Sequence, residues 1–210
     1  SLTNIRKKVY NLEKDLFSYL IKKDKLKYKL YEKQFLDIGT TADLNRASRF
    51  LKKINFKGAV FLDRDGVINK DFGYVYKKNN FVWKKNVGRA IKFLNDNNYY
   101  VFVITNQSGI GRGYYSEKDV NHLHNWVNEK LNLQGAHIDE FVYAPYFKKS
   151  KKYSSKIEFR RRKPNVGMIE ELSKKWSINF KKSFLIGDSD TDIISGQKKK
   201  IYSYKLKSND

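Results

Sequence analysis

The stretch "GAVFLDRDGVINKDFGYV", residues 58–75, decides the fold. Its first five residues are apolar and predict a strand that is buried on both faces of a sheet. Asp63 and Asp65 follow at once, and an extended chain projects residues i and i+2 toward one side. Close like charges raise one carboxyl pKa unless a cation intervenes, so the pair indicates a site for a hard cation such as Mg²⁺. A metal-free acidic turn is the alternative interpretation.

The composition is that of a globular protein. With 210 residues the chain can form one domain, or one domain plus a fragment. No apolar run reaches membrane-spanning length and no signal-peptide pattern is present, so we expect a cytoplasmic protein without a membrane partner. The sequence contains no cysteine, which excludes disulfides and thiolate ligands or nucleophiles.

The chain is strongly basic, with a formal net charge of +22. Such a chain can bind nucleic acid, an anionic membrane surface or phosphorylated small molecules. The lysines are scattered along the sequence rather than confined to one helix, which favours general surface solvation over a nucleic-acid partner. The one dense basic cluster is the predicted loop 147–163.

Apolar runs and helical patterns alternate along the chain. The runs predict strands at 58–62, 99–104, 140–144, 183–187 and 201–206. One helix is predicted from Val87, a second begins at the capping box of Ser116 and Asp119, and a third follows Pro164. This order predicts an α/β fold, a Rossmann-like parallel sheet with helices on both faces. Ligands of such sheets bind beyond the carboxyl ends of the strands.

Polar stretches occur where that rule expects them. Besides the first aspartates they are "TNQSGIGRG" (105–113), "RRKP" (161–164) and "GDSDTD" (187–192). Any one of them could be an ordinary turn or helix cap. Together they suit phosphoryl transfer, because a carboxylate can attack phosphorus while its neighbour moves protons. Asp188 can then join the metal site, and Thr105 and Lys163 can hold the phosphoryl oxygens.

These four motifs resemble those of haloacid dehalogenase (HAD) superfamily phosphatases. Over residues 56–206 the chain is most similar to the D-glycero-D-manno-heptose 1,7-bisphosphate 7-phosphatase family, with histidinol-phosphatases as near relatives. The resemblance implies a HAD-like fold without a large cap and a Mg²⁺-dependent phosphoric monoester hydrolase. The implied substrate is a sugar phosphate, heptose 1,7-bisphosphate. It would lose its 7-phosphate through an aspartyl-phosphate during synthesis of nucleotide-activated heptose for lipopolysaccharide or capsule.

The resemblance also implies roles for individual residues. Asp63 would be the nucleophile, Asp65 the acid and then the base, and Thr105 and Lys163 the phosphoryl-binding groups. The implied metal ligands are Asp63, the carbonyl of Asp65, Asp188 and, directly or indirectly, Asp192. The positions implied to bind substrate are Asn69, Tyr74, Asn106, Gln107, Ser108 and Arg162.

The sequence departs from the family pattern at two places. Family members often carry a zinc loop, whose ligand positions correspond here to Ala144, Tyr146, Phe159 and Arg161. None of these binds zinc well, so we expect no zinc. The basic loop would then be held by aromatic contacts or be mobile, or its basic cluster would meet an anionic substrate. The charge pattern favours the mobile, solvated loop. Ser189 stands where relatives often have a basic residue.

The histidines form no ligand set in the sequence. His122 and His124 lie in the helix predicted after Ser116, and we predict that both are on its surface.

Residues 1–53 fall outside the phosphatase-like region, 54–210. They resemble the C-terminal end of a sugar-1-phosphate nucleotidyltransferase, in which the aspartate of a "DIGT" stretch, here Asp37, is a metal ligand. Because the nucleotide-binding part of that fold is absent, we expect a fragment of a bifunctional protein with an upstream nucleotidyltransferase domain, or a mainly helical extension. The resemblance to guanylyl-transferring enzymes hints at an α-anomer substrate by analogy alone.

Other functions remain open at this point. Polynucleotide 3′-phosphatases also carry an aspartate pair and a "TNQ" motif, and the basic charge would suit DNA. However, the sequence has no G-x-x-x-x-G-K-[ST] kinase loop. A histidinol-phosphatase and a basic module that binds sugar phosphates without catalysis are further alternatives.

Overall fold

The computed structural model describes residues 11–30 and 37–207. The chain divides into two compact units, Ser1–Leu44 and Asn45–Asp210. In the first unit a π-helical segment, Leu12–Phe17, continues as helix α1, Ser18–Lys22. The Asn11 side chain caps it by accepting from two backbone N–H groups at 3.1 and 2.9 Å. The predicted helical character is confirmed for this segment, whereas 1–10 and 31–36 of the nucleotidyltransferase-like stretch lie outside the described residues.

The second unit contains a five-stranded parallel sheet, as the alternation of strands and helices predicts. The strands are β1 (Ala59–Leu62), β2 (Tyr100–Asn106), β3 (Glu140–Ala144), β4 (Phe184–Gly187) and β5 (Tyr202–Lys205). Their spatial order is β3-β2-β1-β4-β5, and every neighbouring pair is parallel. The remaining helices are α2 (Thr41–Ile54), α3 (Val87–Asp96), α4 (Ser108–Gly111), α5 (Glu117–Asn132), α6 (Lys156–Arg161), α7 (Gly167–Lys175) and α8 (Asp190–Lys198).

Residues along β1, β2, β3 and β4 alternate between two apolar cores, one on each face of the sheet. Val60 of β1 packs into a core formed with α3 and α5, which contribute Ile91 and Leu123. Phe61, one residue later, packs into the other core with Leu172 of α7. Both β1 residues are completely buried, and full burial of a side chain of this size stabilises the fold by about 1.5–3 kcal/mol.

Local signals in the sequence set the helix starts. The Ser116–Asp119 capping box is present: the Asp119 N–H donates to the Ser116 hydroxyl at 3.2 Å, and the Ser116 N–H donates to the Asp119 carboxylate at 2.8 Å. Helix α7 begins at Gly167, three residues after Pro164, as predicted.

The strand order places β1 at the centre of the sheet. The chain fills one side with β2 and β3, then crosses over and fills the other side with β4 and β5. Such a reversal leaves a crevice beyond the carboxyl ends of the central strands. The residues that follow β1, β2 and β4 are therefore brought to one place.

No helix within the described residues is both long enough and apolar enough to cross a membrane.

A buried hydrogen bond joins β1 to the loop before β4, and we expect its loss to destabilise the fold. The Ala59 N–H donates to the Ser183 hydroxyl at 2.9 Å, and that hydroxyl donates to the Asn179 carbonyl at 2.7 Å. Ser183→Ala should lower the free energy of unfolding by about 1–3 kcal/mol, because a buried N–H is left unpaired. Urea unfolding measures this change. Ser173→Ala, which removes a hydroxyl bonded within α7, is the control and should change it by under about 0.5 kcal/mol; equal effects would contradict the prediction.

Candidate active site

A cavity of ≈ 480 Å³ lies beyond the carboxyl ends of the strands. Nine of the predicted site residues line it: Asp63, Asp65, Tyr74, Thr105, Asn106, Gln107, Ser108, Lys163 and Asp188. A second cavity, of ≈ 490 Å³, lies near the amino ends of the strands beside Lys57 and Tyr100, and its lining includes no carboxylate. The chemistry predicted from the sequence therefore belongs to the first cavity.

Three predicted residues lie outside this lining. Asn69 and Asp192 are buried, and each contacts a residue that lines the cavity. The Asn69 side-chain amide donates to Asp65 at 2.9 Å, and an Asp192 oxygen lies 2.5 Å from the ammonium of Lys163. Arg162 is half-buried, and burial, reinforced by the nearby charge of Arg112, lowers the pKa of its guanidinium.

The ammonium group of Lys163 links the ends of several elements. Its Nζ lies 2.9 Å from Asp63 Oδ1 and 2.5 Å from Asp192 Oδ1, and it donates to the Ile104 carbonyl at 2.9 Å. Its side chain is only 2% exposed. Burial alone would lower the pKa of Lys163, but the two carboxylates outweigh that effect and raise it. The group therefore stays charged.

The carboxylates around Lys163 outnumber the cation. Burial raises the pKa of Asp63 to about 7; Lys163 opposes this shift, and the charge of Asp192 adds to it. Burial, and then the charge of Asp192, also raises the pKa of Asp188. One oxygen from each of these three aspartates lies within 4.8 Å of the others. An all-oxygen set with excess negative charge suits a hard divalent cation such as Mg²⁺, so these residues fit the predicted metal.

A glycine brings the two acidic segments together. Gly66, directly after Asp65, has φ +82°, a conformation that other residues rarely adopt. A Cβ atom at this position would lie 1.9 Å from the Asp188 carboxylate. The loop after β1 can therefore approach the loop after β4 only with glycine here.

Asp65 is held differently from Asp63. Its carboxylate accepts hydrogen bonds from Arg64, Asn69 and Gln107, at distances between 2.8 and 3.2 Å. Arg64 is completely buried, pairs with Asp65 at 2.8 Å, and also donates to the Val75 carbonyl at 2.6 Å. This role of Arg64 had no signal in the sequence, because an arginine between two aspartates equally suits a solvated turn.

Asn106 holds the segment that carries Lys163. Its side-chain carbonyl accepts from the Lys163 N–H at 3.0 Å, and its amide donates to the Lys163 carbonyl at 3.2 Å. Thr105, the residue before it, is buried at the end of β2 and lines the cavity. The end of β2 thereby fixes the position of the "RRKP" segment.

Sequence reasoning did not assign five further residues of the lining: Asp71, Gly73, Tyr115, Ser189 and Thr191. Ser189 and Thr191 belong to the "GDSDTD" stretch, and Asp71 and Gly73 precede Tyr74, so their position in known motifs was the available signal. Tyr115 lies outside the quoted motifs, so the sequence carried no signal for it.

Aromatic pairs fix the loop that follows the first motif. The Tyr74 ring lies edge-on to the Tyr114 ring at 4.9 Å between centroids, and the Tyr76 ring stacks on the Tyr115 ring at 4.7 Å. The loop after β1 that carries Tyr74 and Tyr76, here called the flap, thus packs against the segment after α4.

The positions that correspond to zinc ligands hold other contacts. The Tyr146 and Phe159 rings lie 5.2 Å apart, and Arg161 pairs with Glu158 at 3.5 Å and with Glu171 at 3.3 Å. Ala144 is completely buried.

The basic loop is also tied to helix α5. The Tyr153 hydroxyl donates to the Glu117 carboxylate, and Lys152 pairs with the same carboxylate at 3.6 Å. The aromatic contacts predicted as one alternative for this loop are therefore present, and ionic contacts accompany them.

The prediction that His124 lies on the helix surface is wrong, whereas His122 is exposed as predicted. His124 is 3% exposed and stacks on Phe141 at 4.4 Å between ring centroids. Its Nε2 lies 3.3 Å from Arg64 Nη1. Arginine can only donate, so Nε2 accepts and the ring is neutral. Burial, and then the charge of Arg64, holds the pKa of His124 well below its usual value.

The chain resembles known phosphatases in sequence. A family model described as polynucleotide kinase 3 phosphatase matches residues 58–206. The chain is 41% identical to a D-glycero-β-D-manno-heptose-1,7-bisphosphate 7-phosphatase of Rhodopseudomonas palustris, with 72% of this chain and 84% of the relative covered. It is 39% identical to a D-glycero-α-D-manno-heptose-1,7-bisphosphate 7-phosphatase of Photorhabdus laumondii, with 66% and 75% covered.

Two solved structures also resemble this chain. A HAD-like phosphatase of Mesorhizobium loti has a TM-score of 0.62 at 32% identity, with 67% of this chain and 68% of that one covered. A D,D-heptose 1,7-bisphosphate phosphatase of B. bronchiseptica, complexed with magnesium and phosphate, also has a TM-score of 0.62. It is 23% identical to this chain, with 70% of this chain and 79% of that one covered. The second likeness establishes the shared fold.

We expect His124 to make the stability of the fold depend on pH. The folded chain keeps His124 neutral, whereas the unfolded chain takes up a proton below the ordinary value of 6.5, so its contribution to stability is lost as pH falls through that value. The difference in unfolding free energy between the wild type and His124→Gln should change by up to about 1.4 kcal/mol per pH unit below this point. Urea unfolding at pH 7.5, 6.5 and 5.5 measures it. His122→Gln is the control, and a difference that does not vary with pH would contradict the prediction.

Proposed function

We propose a reaction for this chain on the basis of its family. The chain belongs to the HAD superfamily, in the family of D-glycero-D-manno-heptose 1,7-bisphosphate 7-phosphatases. The proposed reaction is hydrolysis of the 7-phosphate of that sugar bisphosphate. The observation that carries the proposal is the meeting of Asp63, Lys163 and Asp65 in one cavity, with Asp63 2.9 Å from the ammonium and Asp65 held by other donors.

In the first step, we propose that a carboxylate oxygen of Asp63 attacks phosphorus. A bond forms between that oxygen and phosphorus, and the bond from phosphorus to the C7 oxygen of the sugar breaks. Asp65 donates its proton to the departing oxygen, so the sugar leaves as an alcohol. The adjacency of the two side chains in the cavity supports this division of roles.

In the second step, Asp65 takes a proton from water as that water attacks the aspartyl-phosphate. The bond between Asp63 and phosphorus breaks, inorganic phosphate leaves, and both side chains return to their starting state. Lys163 and the Thr105 hydroxyl would hold the phosphoryl oxygens through both steps. The burial of these two residues at the cavity wall supports that role.

We propose Mg²⁺ as the cofactor, held by Asp63, the carbonyl of Asp65, Asp188 and, directly or indirectly, Asp192. When bound, the ion neutralises charge on the carboxylates and on the phosphoryl group. The clustering of three carboxylate oxygens within 4.8 Å supports this assignment.

The remaining predicted residues are proposed to bind or position the sugar. They are Asn69, Tyr74, Asn106, Gln107, Ser108 and Arg162. Tyr74 and Ser108 line the cavity, and the half-buried guanidinium of Arg162 offers a positive charge to a second phosphate.

We further propose a cytoplasmic location, which the absence of cysteine suits. For residues 1–53 we propose a separate unit, either the end of a nucleotidyltransferase domain or a helical extension, with 54–210 as the phosphatase domain. The "DIGT" stretch at Asp37 supports the first interpretation, and helix α1 is compatible with both.

A second candidate substrate is a polynucleotide 3′-phosphate. The description of the matching family model and the net charge of +22 favour it. The curated relatives at 39–41% identity favour the sugar bisphosphate instead.

A substrate panel separates these candidates. Phosphate release with Mg²⁺ is measured from the α- and β-anomers of heptose 1,7-bisphosphate, histidinol phosphate and a 3′-phosphorylated oligonucleotide. We expect kcat/KM for one heptose anomer to exceed that for histidinol phosphate and for the oligonucleotide by about 100-fold. Contacts specific to the heptose and worth about 2.7 kcal/mol would produce this difference. Asp63→Asn should lower it by at least about 10³-fold, because the nucleophile is lost.

The matched control is Asp190→Asn, which changes an exposed aspartate of α8 that pairs with Lys205. It should retain wild-type activity. Preference for the oligonucleotide would replace the proposed substrate, and equal effects of the two variants would contradict the role of Asp63.

Salt dependence gives an independent test of the nucleic-acid alternative. Binding of a single strand through several phosphates weakens steeply with salt, with a slope of about −0.7 per phosphate contact on logarithmic axes. For a small sugar phosphate in a partly enclosed cavity, we expect kcat/KM to change by less than about threefold between 50 and 200 mM KCl. A decrease of tenfold or more for an oligonucleotide that is also the preferred substrate would favour the polynucleotide function.

A further inference from the structure

The side-chain amide of Gln107 is hydrogen-bonded to two residues of the cavity on one side and to Tyr115 on the other. The Nε2 group donates to Asp65 Oδ2 at 2.9 Å and to Thr105 Oγ1 at 3.0 Å. On the other side, the Tyr115 hydroxyl donates to Gln107 Oε1 at 2.7 Å. Gln107 is 2% exposed, so these contacts are made away from bulk water.

The hydrogen bonds give this amide one orientation. Its NH₂ group faces Asp65 and the Thr105 hydroxyl, and its carbonyl faces Tyr115. A carbonyl in this position needs a donor, and the Tyr115 hydroxyl is one. Burial raises the pKa of Tyr115 to about 12, so the hydroxyl keeps its proton at ordinary pH.

The same orientation fixes the direction of the Thr105 hydroxyl. Because Thr105 Oγ1 accepts from Gln107, its own proton is left to be donated to another group. A phosphoryl oxygen in the cavity is an acceptor of the required kind. At the buried end of this chain of bonds, the Tyr115 hydroxyl holds the carbonyl of Gln107 and so stabilises this orientation.

Tyr115 itself is held firmly. Its ring is 7% exposed and stacks on Tyr76 at 4.7 Å between centroids. Gly109 leaves the space that the ring fills, since a Cβ there would lie 2.2 Å from the nearest ring atom. The hydroxyl thus has a fixed place next to Gln107.

We propose that Tyr115 is a positioning residue for the hydrolysis, which acts through Gln107 to orient the Asp65 carboxyl and the Thr105 hydroxyl toward the phosphoryl group. This inference rests on the proposed function, in which Asp65 protonates the leaving group.

The test uses Tyr115→Phe, which removes the hydroxyl and keeps the ring. Its matched control is Tyr76→Phe, the same change on the stacked partner, whose hydroxyl makes no hydrogen bond to the described part of the chain. The readout is kcat/KM of the full chain for a series of substituted phenyl phosphates, which needs no heptose substrate. A poorly placed acid matters more as the leaving phenol becomes more basic.

For Tyr115→Phe we expect kcat/KM to fall about tenfold with phenyl phosphate and less than about threefold with p-nitrophenyl phosphate. The plot of log kcat/KM against the pKa of the leaving phenol therefore becomes steeper than for the wild type. Tyr76→Phe should match the wild type. In a Gln107→Ala background, adding Tyr115→Phe should change kcat/KM by less than about twofold, because the coupled partner is gone. Thermal unfolding verifies that each variant is folded.

Two results would overturn the proposal. One is an unchanged slope in Tyr115→Phe, which would mean that the hydroxyl does not act on the acid. The other is an equal loss in the Gln107→Ala background, which would mean that it does not act through Gln107. Failure of the proposed function has a different signature, namely hydrolysis of the phenyl phosphates without hydrolysis of heptose 1,7-bisphosphate.

Discussion

The site depends on one buried ammonium group, that of Lys163. It joins a carboxylate after β1, a carbonyl of β2 and a carboxylate of α8, each within 2.9 Å. A buried charge is costly unless it is paired and fully hydrogen-bonded, and here the pairing satisfies the cation but leaves the carboxylates in excess. Burial raises the pKa of Asp63 to about 7, the charge of Asp192 adds to that shift, and the excess of carboxylates suits a divalent cation. The ion pairs of Lys163 thus tie the site together and leave it with excess negative charge.

Two aspartates only two residues apart occupy different environments. Asp63 faces Lys163 and the other carboxylates, whereas Asp65 accepts from Arg64, Asn69 and Gln107. Environments that differ in this way allow identical side chains to take different chemical roles. The proposed nucleophile and the proposed acid are distinguished by their neighbours and not by their chemistry.

Aromatic side chains take a large share in holding the loops around the cavity. The flap after β1 packs through the pairs Tyr74–Tyr114 and Tyr76–Tyr115, and Tyr146 contacts Phe159 in the basic loop. Such pairs add about 0.5–1.5 kcal/mol beyond the area they bury. In a chain with excess lysine, contacts between uncharged rings hold these loops without adding to the repulsion between cations.

Much of this arrangement could be predicted from the sequence, because the signals are local. The apolar run before Asp63, the capping box at Ser116 and the alternation of strands and helices determine the elements and their parallel sheet. The rule that ligands bind beyond strand ends then brings Thr105 and Asp188 to the same place as Asp63. These predictions required no knowledge of side-chain packing.

The tertiary structure decided which side chains support those residues. The contact between Arg64 and His124 joins residues 60 positions apart, and that between Tyr115 and Gln107 joins residues 8 apart. Neither contact has a periodic signature in the sequence. His124 comes four residues after Val120 and three before Val127, on the buried face of α5. A histidine there was predicted to be exposed, but its packing against Phe141 buries it. A local pattern specifies an element and its apolar face, whereas the partner of a polar side chain is fixed only when distant segments are folded together.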